Sequence, residues 1–148
     1  MNAKSYSLNY DGYWREPNIS GIPANSGIYT VYSCHYNTVA GTVSIKKLIY
    51  IGESVNAKER ILRHEKWSEW RRYLRPGEEL CFNFSPIAID RERVEAALIN
   101  EHKPPANHQH VNDFPYPQTT VSTAGRNALL KAYFTVYTTR SSLYGAIR

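Results

Sequence analysis

The sequence predicts an α/β domain of the α+β type, a small, mainly antiparallel, three-stranded sheet flanked by helices. Three observations lead there. A length of 148 residues is that of one compact unit that buries most of the surface its unfolded chain exposes. Three segments are rich in β-branched and aromatic residues and are bounded by glycine, proline or polar turns. Between and after them lie stretches of helix formers with capping residues at their starts.

In chain order, residues 1–26 hold Gly12, Pro17, Gly21 and Pro23 and read as an irregular arm whose Tyr10, Tyr13 and Trp14 pack on the domain. Residues 28–34 (Ile-Tyr-Thr-Val-Tyr-Ser-Cys) after Gly27 read as a strand. A polar excursion near Asn37 to Ser44 leads to a second strand, Lys47 to Ile51, antiparallel to the first. Gly52 ends it, Ser54 or Asn56 caps a helix over 56–66, and Trp67 to Leu74 continue as a short helix stopped by Pro76-Gly77. Leu80, Phe82 and Phe84 alternate in a third strand over 79–85. Asp90 caps a helix running to His102, before Pro104-Pro105. A short helix is expected from Gly125 to Tyr133. The division that follows is an arm (1–26), a core (27–125) and a C-terminal extension packed on it (126–148), in one domain.

Charge is unevenly spread. Lys58, Arg60, Arg63, Lys66, Arg71, Arg72 and Arg75 crowd into residues 58–75, whereas residues 76–113 are acidic on balance. A net charge of +5 and a pI near 9.2 suit a polyanionic partner, with Lys58, Arg63, Lys66, Arg71 and Arg72 as its expected contacts. A basic helix that only solubilises the chain fits the charge alone equally well. No apolar run is longer than Leu48-Ile49-Tyr50-Ile51, and mean hydropathy is −0.52, which excludes a helical membrane span. Cys34 and Cys81, far apart and without an export signal, read as reduced thiols of an intracellular protein. His102, His108 and His110 match no familiar zinc spacing.

Two local patterns carry chemistry. At about 100° per residue, Glu95 falls between Leu98 and Ile99, a carboxylate interrupting the apolar face of the 90–102 helix. It is either a half-buried acid paired with an arginine or a ligand for a hard divalent cation. Arg60 and His64, four residues apart after the strand ending Tyr50-Ile51-Gly52, offer a guanidinium fork for a phosphoryl group and a proton-exchanging imidazole.

Gly27-Ile28-Tyr29 followed by Tyr50-Ile51-Gly52 resembles the pair of tripeptides that names the GIY-YIG nucleases, and further positions follow in order. Arg60 stands ten residues after the second tyrosine, His64 one helical turn later, Glu95 on a later helix, and Asn107 beyond it beside Pro104-Pro105. The likeness covers residues 27 to 107. It departs from the family in a longer interval between the tripeptides, implying an extended hairpin at Tyr36 to Lys46 within reach of substrate, and in Glu53, where several members carry lysine or a small residue. No residues remain for a separate DNA-binding domain, so target choice is expected from this domain, its arms or another protein.

The resemblance implies a GIY-YIG fold and a DNA endonuclease that hydrolyses phosphodiesters with Mg²⁺ or Mn²⁺ held by Glu95. Its catalytic set is Tyr29, Tyr50, Arg60, His64, Glu95 and Asn107. Arg60 is expected on the phosphoryl group, Tyr50 on the water or phosphate, and Asn107 as a hydrogen-bonding brace, with either Tyr29 or His64 as general base. The expected partner is DNA, branched and single-stranded forms included, with oligomerisation or an accessory protein compatible and no membrane. The alternative is a nucleic-acid-binding module that keeps the fold without cleavage.

Overall fold

The computed structural model describes residues 2–139. Strands β1 (Lys4–Arg15), β2 (Gly27–Asn37), β3 (Thr42–Ser54), β4 (Glu79–Pro86), β5 (Thr119–Gly125) and β6 (Tyr133–Val136) form one mixed sheet, ordered β3-β2-β4-β1-β5-β6 and curled into a half-barrel. The helices among the described residues are short: α1 (Ala57–Leu62), α2 (Trp67–Arg71) and α3 (Arg91–His102), with a 3-10 turn at Glu16–Gly21.

This corrects the expected small three-stranded sheet flanked by helices. Residues 4–15, expected within an irregular arm, form an interior strand that pairs antiparallel with β4 and parallel with β5. Leu8 and Tyr10 are buried while serine and asparagine alternate with them, a period-two pattern masked by its polar half. The parallel register from Lys4↔Thr119 to Tyr10↔Gly125 joins the two ends of the chain, and no local turn announces such a pair. The helix expected from Gly125 to Tyr133 is absent. Gly125, at φ +77°, passes so close to β1 that a β-carbon there would lie 2.3 Å from the Tyr10 carbonyl oxygen, and the chain then returns as β6.

The three expected strands are present within the larger sheet as β2, β3 and β4. β2 and β3 pair antiparallel from Gly27↔Ser54 to Asn37↔Thr42, and β4 lies on the other side of β2. Asn56 caps α1 by accepting from the Glu59 N–H at 3.1 Å, but the helix ends at Leu62, well short of residue 66. Asp90 precedes α3 in a left-handed conformation and does not cap it through its side chain; its carboxylate accepts from the Tyr6 hydroxyl at 2.7 Å instead.

Alternation along β2 sends Ile28 and Tyr29 into different cores. Ile28 joins Leu8, Ile51, Phe114 and the Val94–Leu98 side of α3. Tyr29 joins Val31, Ile61, Trp70, Leu80 and Phe82 beneath α1 and α2. Cys34 and Cys81 are free and buried. No helix among the described residues is long and apolar enough to cross a membrane.

Candidate active site

The two tripeptides meet across the β2–β3 ladder. Tyr29 pairs with Gly52, and a β-carbon on Gly52 would lie 2.3 Å from both Cζ and Oη of the Tyr29 phenol. Gly52 is therefore the residue that lets a fully buried tyrosine lie across its neighbouring strand. Gly27 serves the same need on the other side, since a β-carbon there would lie 2.2 Å from the Ser85 carbonyl oxygen and 2.4 Å from the Phe84 ring. Both glycines stand in paired strand backbone at points of close approach.

Tyr50 reaches the same face, with ring centroids 6.4 Å apart between it and Tyr29. Because α1 ends early, His64 lies in the turn after the helix and not on its face beside Arg60. Its ring is buried 4.5 Å from Trp70, 5.4 Å from Tyr50 and 6.4 Å from Tyr29, centroid to centroid. Nδ1 accepts from the Lys66 N–H at 3.1 Å, which assigns the proton to Nε2, a buried donor without a protein partner. Burial first, then Arg60, lowers its pKa to about 4, so His64 is neutral at physiological pH. Arg60 stays accessible on α1 and grips Glu65 through both terminal nitrogens, at 2.9 and 3.2 Å.

Glu95 enters from α3, across the edge strand β3. With Tyr50, Lys66, Ile99, Asn107, His108 and Gln109 it lines a cavity of about 210 Å³. The nearby arginines are occupied elsewhere, Arg60 by Glu65 and Arg91 by Glu53 at 2.8 Å. Burial, and after it the charge of Glu53, raises the Glu95 pKa to about 8, with the Glu53 backbone amide and Arg60 pulling the other way. Asn107 braces the cavity: its Oδ1 accepts from the Ile51 N–H and its Nδ2 donates to the Ile51 carbonyl, both at 2.9 Å. It thus pairs with the open edge of β3 as a neighbouring strand would, which consumes the amide and leaves it a positioning role.

The five remaining residues converge electrostatically. Arg60 acts on Tyr29, Tyr50, His64 and Glu95, and Glu95 acts on both tyrosines. Burial holds the Tyr29 phenol well above its ordinary value, with Tyr50 adding to the effect and Arg60 opposing it; burial, then Glu95, pushes Tyr50 up to about 12. Among the described residues no group of three or more His, Cys, Asp or Glu side chains surrounds a common point, so a cation here rests on one protein carboxylate.

The expected DNA contacts are less concentrated. Arg63 pairs with Glu59, Lys66 with Glu69 and Arg71 with Glu16, while Lys58 and Arg72 form no ion pair among the described residues. Lys66 also lines the cavity. Three neighbours escaped the sequence reading. Trp70 is fully buried against His64 and Tyr50, Glu65 holds Arg60, and Glu53 presses on Glu95. Only Glu53 left a signal, in its place directly after the second tripeptide. No protein-family model, curated protein or solved structure matches this chain.

Proposed function

We propose that this chain is a divalent-metal-dependent DNA endonuclease of the GIY-YIG type. The observation that carries the reading is Glu95, a half-buried carboxylate with no ion pair among the described residues, which lines a cavity with the Tyr50 phenol and lies within electrostatic reach of Tyr29 and Arg60. Its raised pKa marks it as a group that a cation would stabilise, and Mg²⁺ or Mn²⁺ accepts a single carboxylate when water and phosphate oxygens complete the shell. When bound, such a cation neutralises charge at a phosphoryl oxygen and at the leaving oxygen.

The chain's own groups supply the rest. Arg60 exchanges the exposed Glu65 carboxylate for a phosphoryl group, whose two nonbridging oxygens suit the same two-pronged grip of the guanidinium. His64, with Nδ1 already accepting a backbone N–H, acts as a neutral donor through Nε2 and is a poor proton acceptor. Tyr29 is then the better candidate to take the proton from the attacking water. Its phenol is protonated at rest, so it must first release that proton to solvent before it can accept one, a loss that the Arg60 guanidinium favours. Tyr50 orients the water or the phosphate, and Asn107 fixes β3 beneath both.

The test is incubation of wild type and Glu95→Gln with supercoiled plasmid, linear duplex, single strands and branched junctions, with and without Mg²⁺ or Mn²⁺. Metal-dependent products from wild type alone are expected. Binding that persists in EDTA with no products on any substrate replaces the endonuclease reading with that of a nucleic-acid-binding module.

A further inference from the structure

A second cavity, of about 420 Å³, is lined by Ser33, Lys46, Lys47, Tyr73, Arg75 and Glu78. Its three cations are exposed, and none of them forms an ion pair among the described residues. Arg60, Arg63, Lys66 and Arg71, on or beside the helices, are all neutralised by carboxylates. Lys47 lies over the Tyr73 ring, its Nζ 5.3 Å from the centroid. Glu78, the acid in the wall, is turned to the Arg75 backbone N–H at 2.9 Å. Ser33 is 1% exposed, and its buried Oγ has no hydrogen-bond partner among the described residues.

The position is as informative as the chemistry. Tyr29, Val31 and Ser33 alternate on one face of β2, and Lys47 pairs with Ser33 across β3. Four residues at about 3.3 Å each put Ser33 roughly 13 Å along the strand from Tyr29. Phosphates along one strand of B-form DNA advance about 3.4 Å each along the helix axis and wind around it, so a few nucleotides of one strand bridge this interval. From this juxtaposition the geometry points to a second phosphate subsite: the Ser33, Lys46, Lys47 and Arg75 cavity holds a backbone phosphate of the DNA whose scissile phosphate lies at Arg60 and Glu95. The inference rests on the endonuclease reading and adds to it the feature that lets a small domain grip its substrate away from the reacting bond.

The test is duplex binding in EDTA, which prevents cleavage, measured across a range of salt. Each phosphate contact steepens the dependence of log affinity on log salt by about 0.9. The triple variant Lys46→Ala, Lys47→Ala, Arg75→Ala, altered only at exposed positions, is expected to show a slope shallower by about 1 and at least tenfold weaker binding. In Mg²⁺ the triple variant raises KM on duplex without changing kcat, and leaves unchanged the hydrolysis of thymidine 5′-p-nitrophenyl phosphate, which has only one phosphodiester. An unchanged salt slope, or a wild type that binds no duplex, overturns the subsite. Inorganic phosphate that stabilises wild type but not the triple variant, with equal duplex slopes, assigns the cavity to a free anion and also overturns it. A shallower slope with no cleavage by wild type keeps the subsite and removes the endonuclease reading; active cleavage with an unchanged slope does the reverse.

Discussion

Replacing Glu95 by Gln keeps the side chain's shape and removes its charge, so the variant isolates the cost of an ionised carboxylate in this cavity. Below about pH 4.5 the group is protonated in both folded and unfolded chains and contributes no difference. As pH rises, the unfolded chain releases its proton near 4.5, whereas the folded one keeps it until about 8. The folded state therefore binds more protons across that window, and stability falls as pH increases. At about 1.36 kcal/mol per pH unit, the loss from this one group reaches about 5 kcal/mol by pH 8 and stays constant above it. Urea denaturation in EDTA at pH 4, 6, 8 and 9 measures it, because other titrating groups are common to both proteins. The variant is expected to gain on wild type progressively from pH 4.5 to 8. Added Mg²⁺ is expected to restore wild type at pH 8 and to leave the variant unmoved. A stability difference that does not vary with pH, or equal stabilisation of both proteins by Mg²⁺, would refute the placement of an unpaired carboxyl in this cavity.

Arg60→Ala removes a half-exposed side chain, so folding should be preserved while cleavage of plasmid falls at least about a hundredfold, measured as single-turnover rate. Gly52→Ala sets a β-carbon against the Tyr29 hydroxyl at 2.3 Å; thermal melts should show a loss of about 1–3 kcal/mol together with loss of activity, and an unchanged melt would contradict the packing. His64, with a folded pKa of about 4 against an ordinary 6.5, stabilises the fold fully above pH 6.5, and that contribution is lost as pH falls toward 4. An NMR titration should accordingly find its ring neutral above pH 5.5, and the pH–rate profile should carry no limb near 6.5 from this residue.

What the sequence revealed of this molecule follows the range of the interactions involved. The β2–β3 pair and β4 were legible because their apolar alternation is local, and α3 because a run of apolar residues ends at prolines. β1 and β5 were not. Their buried positions are Leu8, Tyr10, Thr119, Val121 and Thr123, spaced among serine, asparagine and threonine, and their parallel pairing joins residues more than a hundred positions apart. Expecting an arm and a three-stranded sheet was the cost of reading polar strands by composition. The site fared differently. Glu95 was visible as a carboxylate on an apolar helix face, and that anomaly survives as a half-buried acid with a raised pKa. The Arg60–His64 pair was placed on one helix face because the sequence does not show that α1 stops at Leu62; the chain turns there, and the imidazole is buried by the fold and not by helical spacing.

The electrostatics of the pocket tie its parts together. At rest Glu95, Tyr29 and Tyr50 all favour their protonated forms, and Arg60 is cancelled by Glu65, so the cavity holds little net charge. A cation arriving alone must displace a proton from Glu95, and a phosphate arriving alone must displace Glu65 from Arg60. Glu65 is two-thirds exposed, so its release into water is inexpensive. A phosphate seated on Arg60 is itself anionic, so on the endonuclease reading it is the incoming cation that would favour the ionised forms of Glu95 and Tyr29. On that reading substrate and metal would assist each other through their opposite charges, and by linkage the assistance would be equal in both directions. Glu65, five residues from Arg60 and beyond the end of α1, is the side chain that neutralises Arg60 in this structure, and on the endonuclease reading a phosphate would take its place.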